Sequence, residues 1–275
     1  MNDSMLSPLR ARRQEEDGAD SIEVPAAVVC ARCGKPDCLG CEPLDDTTLP
    51  SGVVAIVPWE RPGASAWTRL WSTAGLVTRS SPQFFRALPK GEAAPATMFA
   101  VVSELAAIGS SAVVLMMLVA ALAPSFVSTL LSTAPGQAIA ARLLLVGVPG
   151  FAAIMILAHV TLGLAMNHAS VRLGGKNRKS QAMRFGLYST GWDLMTSPFG
   201  LLVSLFAEGP RSVVSLLPLS VGVASHAALA FARGVLQLDE AGALQARRFG
   251  TRVAMAFTFA SVALLLLILA ILIVV

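Results

Sequence analysis

Residues 95–123 read PATMFAVVSELAAIGSSAVVLMMLVAALA, and Glu104 is the single charged side chain among them. As a helix rising 1.5 Å per residue, such a run covers the roughly 30 Å of a bilayer's hydrocarbon, so it predicts a membrane span. Four more apolar segments follow at about 138–168, 185–207, 211–233 and 252–275. Together they predict an all-α membrane protein with five transmembrane helices in residues 95–275. Pro124 closes the first span, and Pro135-Gly136 is read as the turn into the second. Pro149-Gly150, Pro198 and Pro218 fall inside spans two, three and four, where kinks are expected.

Composition agrees with this division. Of 275 residues, 55% are hydrophobic, 14% charged and 6% aromatic, against about 25% charged in an ordinary soluble domain. Before residue 95 lie 12 of the 17 acids and 10 of the 21 bases. The rest of the chain therefore has too few charges for a soluble enzyme.

Residues 1–62 are rich in Asp, Glu, Pro, Gly and Arg and have no sustained apolar period, which predicts a mostly disordered polar segment. Its first 25 residues lack the apolar run of a signal peptide. Within it, Cys30, Cys33, Cys38 and Cys41 have the spacing C-x2-C-x4-C-x2-C. Two such knuckles can turn four thiolates onto one tetrahedral cation, so a structural zinc is the expected cofactor. An iron–sulfur or redox role and four free thiols are the alternatives. A zinc-folded knuckle of this size has almost no core and suits docking of a protein partner.

Residues 63–94 form a basic, aromatic lead-in. Trp67, Leu70, Trp71 and Ala74 fall at i, i+3, i+4 and i+7, with Arg69, Arg79 and Arg86 nearby. That pattern predicts an interfacial amphipathic helix.

Loop charge sets the expected orientation. Arg79, Arg86 and Lys90 precede span one, and the loop after it is uncharged. Arg172, Lys176, Arg178, Lys179 and Arg184 follow span two, and Glu208 cancels Arg211 after span three. Arg233, Arg247, Arg248 and Arg252 then outweigh Asp239 and Glu240. This alternation places the N-terminus in the cytosol and Val275 on the far side. The five basic residues from Arg172 to Arg184 are also candidates for contact with anionic lipid headgroups. Gly174-Gly175-Lys176-Asn177 lacks the upstream glycine and the Ser/Thr of a phosphate loop, and no feature points to nucleic acid.

Each predicted span but the last carries a titratable group: Glu104, His159, Asp193 and His226. Counted from the cytosolic ends they lie about 10–14 Å deep, in one layer. A buried carboxylate–imidazole cluster could relay protons or ligate zinc or manganese. Hydrogen-bonding glue between helices, or placement near helix ends, explains the same residues.

Two motifs carry a family resemblance. Pro82-Gln83-Phe84-Phe85-Arg86-Ala87-Leu88-Pro89 precedes span one, and His168-Ala169-Ser170-Val171-Arg172-Leu173-Gly174-Gly175 is followed by Arg184 and Tyr188. Residues 65–275 resemble the Yip-domain membrane proteins on these motifs, His168, Gly174, Gly175 and Tyr188 forming the signature loop between spans two and three. The resemblance implies a five-span, non-enzymatic scaffold or adaptor. The Ala- and Leu-rich composition resembles the family's bacterial members, which implies a bacterial cytoplasmic membrane.

The expected function is therefore a membrane-integral adaptor that recruits a partner through its cysteine head. The alternative is a transporter of a small solute, ion or proton through the polar layer. No H-E-x-x-H or G-x-S-x-G motif supports an intramembrane hydrolase. Membrane lipids are expected partners, and homo-oligomer formation stays open.

Overall fold

A computed structural model describes residues 57–274. The cysteines Cys30, Cys33, Cys38 and Cys41, with the zinc reading attached to them, lie outside the described residues.

Among the described residues the regular structure is helical. A 3-10 turn at Pro58–Glu60 leads to α1 (Ala66–Arg79) and α2 (Ser81–Arg86). Then come α3 (Ala93–Leu122), α4 (Pro124–Ser132), α5 (Ala134–Arg142) and α6 (Val148–Arg172). The second half holds α7 (Lys179–Ser189), α8 (Gly191–Thr196), α9 (Pro198–Glu208), α10 (Pro210–Gly234) and α11 (Glu240–Val274).

Among the described residues, three helical stretches are long and apolar enough to cross a membrane: Ala93–Leu122, Ala134–Arg172 and Glu240–Ile273. Val113 to Leu118 form six consecutive apolar residues on α3, and all are exposed. No soluble surface leaves every side of a helix apolar, so this half of α3 is suited to lipid.

Proline chemistry sets the local breaks. Pro149 has no N–H for the carbonyl one turn back, and the residues just ahead of it, Leu143–Gly147, widen into a π-helical segment that joins α5 to α6. Pro124 opens the short helix α4 instead of simply ending the first span, and Thr133 Oγ1 caps α5 by accepting from Gly136 N at 3.2 Å. The stretch 185–207 is divided among three helices. Ser197 is extended ahead of Pro198, and its hydroxyl accepts from Gly200 N at 3.1 Å, starting α9. At Pro218 the outcome differs, because α10 continues through it.

α6 and α11 run antiparallel in close contact. A Cβ on Gly150 would meet Leu265, and one on Gly250 would meet Met166. α6 and α7 approach so tightly that a Cβ on Gly163 would stand 2.1 Å from the Ala182 carbonyl. The packed core gathers at the end of the bundle where α3 begins and α6 ends. Phe85 of α2 meets Phe185 of α7 at 4.8 Å, and Phe185 stacks on Phe231 of α10 at 4.5 Å. α1 packs against α8, with Trp192 Nε1 donating to the Val77 carbonyl at 2.9 Å. Its buried face is Leu70, Thr73, Ala74, Val77 and Thr78, while Trp67 stays exposed. Thus Leu70 and Ala74 of the expected apolar face turn inward, toward protein.

Candidate functional site

Glu104 sits on the packed half of α3, His159 in the middle of α6 and Asp193 on the single-turn helix α8. The tight α6–α7 contact fixes His159, because a Cβ on Gly186 would stand 2.4 Å from its carbonyl oxygen. The break at Thr190 then turns Asp193 onto the imidazole. His159 Nε2 lies 2.7 Å from Asp193 Oδ2 and 4.0 Å from Glu104 Oε1. The Asp193 carboxylate can only accept in this pair, so Nε2–H donates. Trp192 adds an edge-on wall, its ring 5.7 Å from that of His159.

Glu104 differs from the other two. It has no exposed surface, and neither of its carboxylate oxygens has a hydrogen-bond partner. A buried carboxylate without a partner is costly, yet here it points at two groups that ligate metals well. One ligand atom from each of Glu104, His159 and Asp193 lies within 4.8 Å of the others. A first-row divalent ion binds nitrogen or oxygen at about 2.0–2.2 Å, so a small inward movement brings all three onto one ion.

The triad separates two cavities. His159 lines one of about 680 Å³ that extends along α11 from Arg247 to Phe259. Glu104 and Asp193 line another of about 230 Å³, together with Ser111 and Met155. Ser111 lies seven residues beyond Glu104, and Met155 four residues before His159 on the antiparallel α6. The smaller cavity therefore opens away from the basic end of the bundle.

Three of the four residues expected in the polar layer are brought together here. His226 is the exception: it is exposed on α10 and lies outside the cluster. The depth of a residue in a helix does not fix its azimuth, and His226 faces away.

The basic loop also divides. Arg172, Lys176 and Lys179 are exposed and Arg178 is half-buried. Arg184 is fully buried and unavailable to headgroups, a correction to its reading as a lipid contact. Its Nη2 lies 2.9 Å from Glu60 Oε1, and its Nη1 donates to the Glu92 carbonyl at 2.9 Å. Tyr188, also buried, donates to Glu60 Oε1. Sequence reasoning missed Glu60; its signal was a lone acid between Trp59 and Arg61 just ahead of the apolar region.

The glycine pair acts as a hinge-free clasp. Gly174 adopts φ +81° at the end of α6, where glycine is favoured. Lys176 N then donates to the Leu236 carbonyl at 2.9 Å, so the loop docks on the α10–α11 connection. Asn167 secures the other side, its Oδ1 accepting from Arg178 N at 2.7 Å. His168 is exposed beside Phe249, with ring centres 6.4 Å apart.

No family model, curated protein or solved structure matches the chain.

Proposed function

We propose that this protein is an integral membrane protein that binds a divalent cation at Glu104, His159 and Asp193 and passes it between the two cavities the triad separates. The observation that carries the reading is the buried, unpartnered carboxylate of Glu104 aimed at the His159–Asp193 pair. As an ionised carboxylate Glu104 accepts no hydrogen bond, so helix–helix glue, which works by making hydrogen bonds, accounts for it only with a proton held between Glu104 and Asp193, which a cation would replace. A scaffold has equally little use for it. One imidazole and two carboxylates are a donor set suited to manganese or zinc.

The proposed setting is five passes. α6 arrives at the end of the bundle from which α11 departs, so the chain between them crosses an even number of times, and two crossings is the reading proposed. Residues 179–208 supply the inward pass in three pieces, and α10 supplies the return. Lys90, Arg172, Lys176, Lys179, Arg233, Arg247 and Arg248 lie near one end, which the positive-inside rule assigns to the cytosol.

The test uses full-length chain with Cys30, Cys33, Cys38 and Cys41 replaced by Ser, reconstituted in liposomes. Saturable manganese or zinc uptake that disappears in Glu104→Gln is the expected result. The cation would take the Nε2 lone pair of His159, with the ring proton carried on Nδ1, and because protons compete for the same ligand atoms, binding should weaken as pH falls. Uptake unchanged by Glu104→Gln and Asp193→Asn would overturn the reading. Proton flux without metal uptake would reassign the triad to proton relay.

A further inference from the structure

The larger cavity has a polarity gradient that the cation site does not explain. It lies between α6, α10 and α11, and α11 forms its long wall. Arg248, Arg252, Met255 and Phe259 follow at i, i+4, i+7 and i+11, so they share one face of the helix. From Arg247 to Phe259 the wall runs about 18 Å, close to the depth of one leaflet of a roughly 30 Å core. Its first turns carry three guanidinium groups and its last turns are apolar.

The arginines are not used up within the protein. Among the described residues no carboxylate lies within ion-pair distance of Arg247, Arg248 or Arg252. Arg247 donates to Ser225 Oγ on α10, which tethers it across the mouth. Arg248 and Arg252 are exposed, and both also border the neighbouring surface hollow beside Phe249. Arg233, by contrast, is paired with Glu240 at 2.6 Å.

We propose that this cavity is a site for one acidic phospholipid, its phosphate held by Arg248 and Arg252 and one acyl chain lying along Met255 and Phe259. Charge complementarity selects the occupant's head: guanidinium forks match phosphate oxygens and remain charged at any physiological pH. Length and apolar lining select its tail. A soluble phosphate would satisfy the arginines and leave the apolar half unused. A partner helix would need to bring acids to the same end and apolar side chains to the other.

The experiment is native mass spectrometry of the full-length chain in zwitterionic detergent, titrated with phosphatidylglycerol, phosphatidylcholine or inorganic phosphate. One phosphatidylglycerol per chain is expected to bind, at concentrations where phosphatidylcholine does not. Arg248→Gln/Arg252→Gln should weaken it roughly 30-fold, the effect of two cationic side chains near a charged surface. Arg172→Gln/Lys179→Gln should leave it unchanged. Thr258→Trp, which fills the apolar half, should weaken phosphatidylglycerol in a chain whose melting temperature in detergent alone is unaltered. Equal binding of phosphatidylcholine, or retention of phosphatidylglycerol in the double arginine variant, would overturn the proposal. Full displacement by millimolar inorganic phosphate would do the same and make the site a phosphate site. His159 lines the same cavity, so lipid and cation would compete for it, but the triad stays intact in every variant and the lipid-binding readouts are taken without added metal.

Discussion

Glu60 and Arg184 lie 124 residues apart in sequence and pair at 2.9 Å, at the junction of the segment before α1 with the start of α7. The pair closes a small network. Arg184 also reaches the Glu92 carbonyl and Tyr188 donates to the same Glu60 carboxylate. Arg184 has no exposed surface, so Glu60 is what neutralises it. The segment ahead of the apolar region is thereby fastened to the helical body by a charge that lies inside that body.

Removing one partner of a buried ion pair leaves the other charge stranded. Glu60→Ala should therefore destabilise the chain by about 3 kcal/mol, read as a lower melting temperature in detergent. Glu60→Ala/Arg184→Met, which removes both charges, should recover part of the loss. Equal stability of wild type and Glu60→Ala would show that the pair is not formed.

The approach of α6 to α7 depends on glycines. Gly186→Val places side-chain atoms where the His159 carbonyl lies 2.4 Å from a Cβ, so the helices must separate. Lower thermal stability and loss of the His159–Asp193 hydrogen bond should appear together. Gly109 provides the contrast, because a Cβ there meets nothing within 4 Å. Gly109→Ala should be neutral or slightly stabilising, by up to about 1 kcal/mol. Matching melting curves for the two variants would refute the packing argument.

Glu104 is predicted to trade stability for cation binding. In chelator-treated protein, Glu104→Gln removes the cost of a buried carboxylate without a partner and should raise stability on the order of 2 kcal/mol. With saturating manganese or zinc the order should reverse, since only the wild type gains from the ligand. Differential scanning fluorimetry with and without metal separates the cases. A variant less stable under both conditions would mean that Glu104 has a purely structural role.

The turn at Gly209 reports on the third and fourth passes. Arg79 pairs with Glu208, tying that turn to the end of α1. In a background without the four native cysteines, Arg211→Cys and Lys176→Cys should be labelled by an impermeant maleimide from opposite sides if both passes cross fully. Labelling of both from one side would make α7–α10 a re-entrant pair.

Much of this architecture is legible in the sequence. The apolar stretches that become α3, α6 and α11 are local properties, set by the need to satisfy every backbone group within a lipid-facing segment. Ser197-Pro198 was equally readable as a disturbance, since proline cannot donate to the preceding turn. Its depth was not: the sequence predicts one span with a kink at 185–207, and the chain forms three short helices there. Pro218 shows the converse, a proline that α10 passes without interruption.

The sequence by itself determined the helical class, the apolar stretches that become α3, α6 and α11, and the presence of ionisable groups within the apolar region; it did not tell those three from the five spans it predicts. Only the tertiary structure decided which of those groups meet. An apolar helix has no polar stripe to reveal its rotation, so Glu104, His159 and Asp193 converge while His226, at similar depth, turns outward. The same rotational freedom buried Arg184 against Glu60 and left Arg248 and Arg252 facing a cavity. Depth follows from counting residues at 1.5 Å each; azimuth follows from packing, and the Gly163–Ala182 and Gly250–Met166 contacts that set it join residues far apart in the chain.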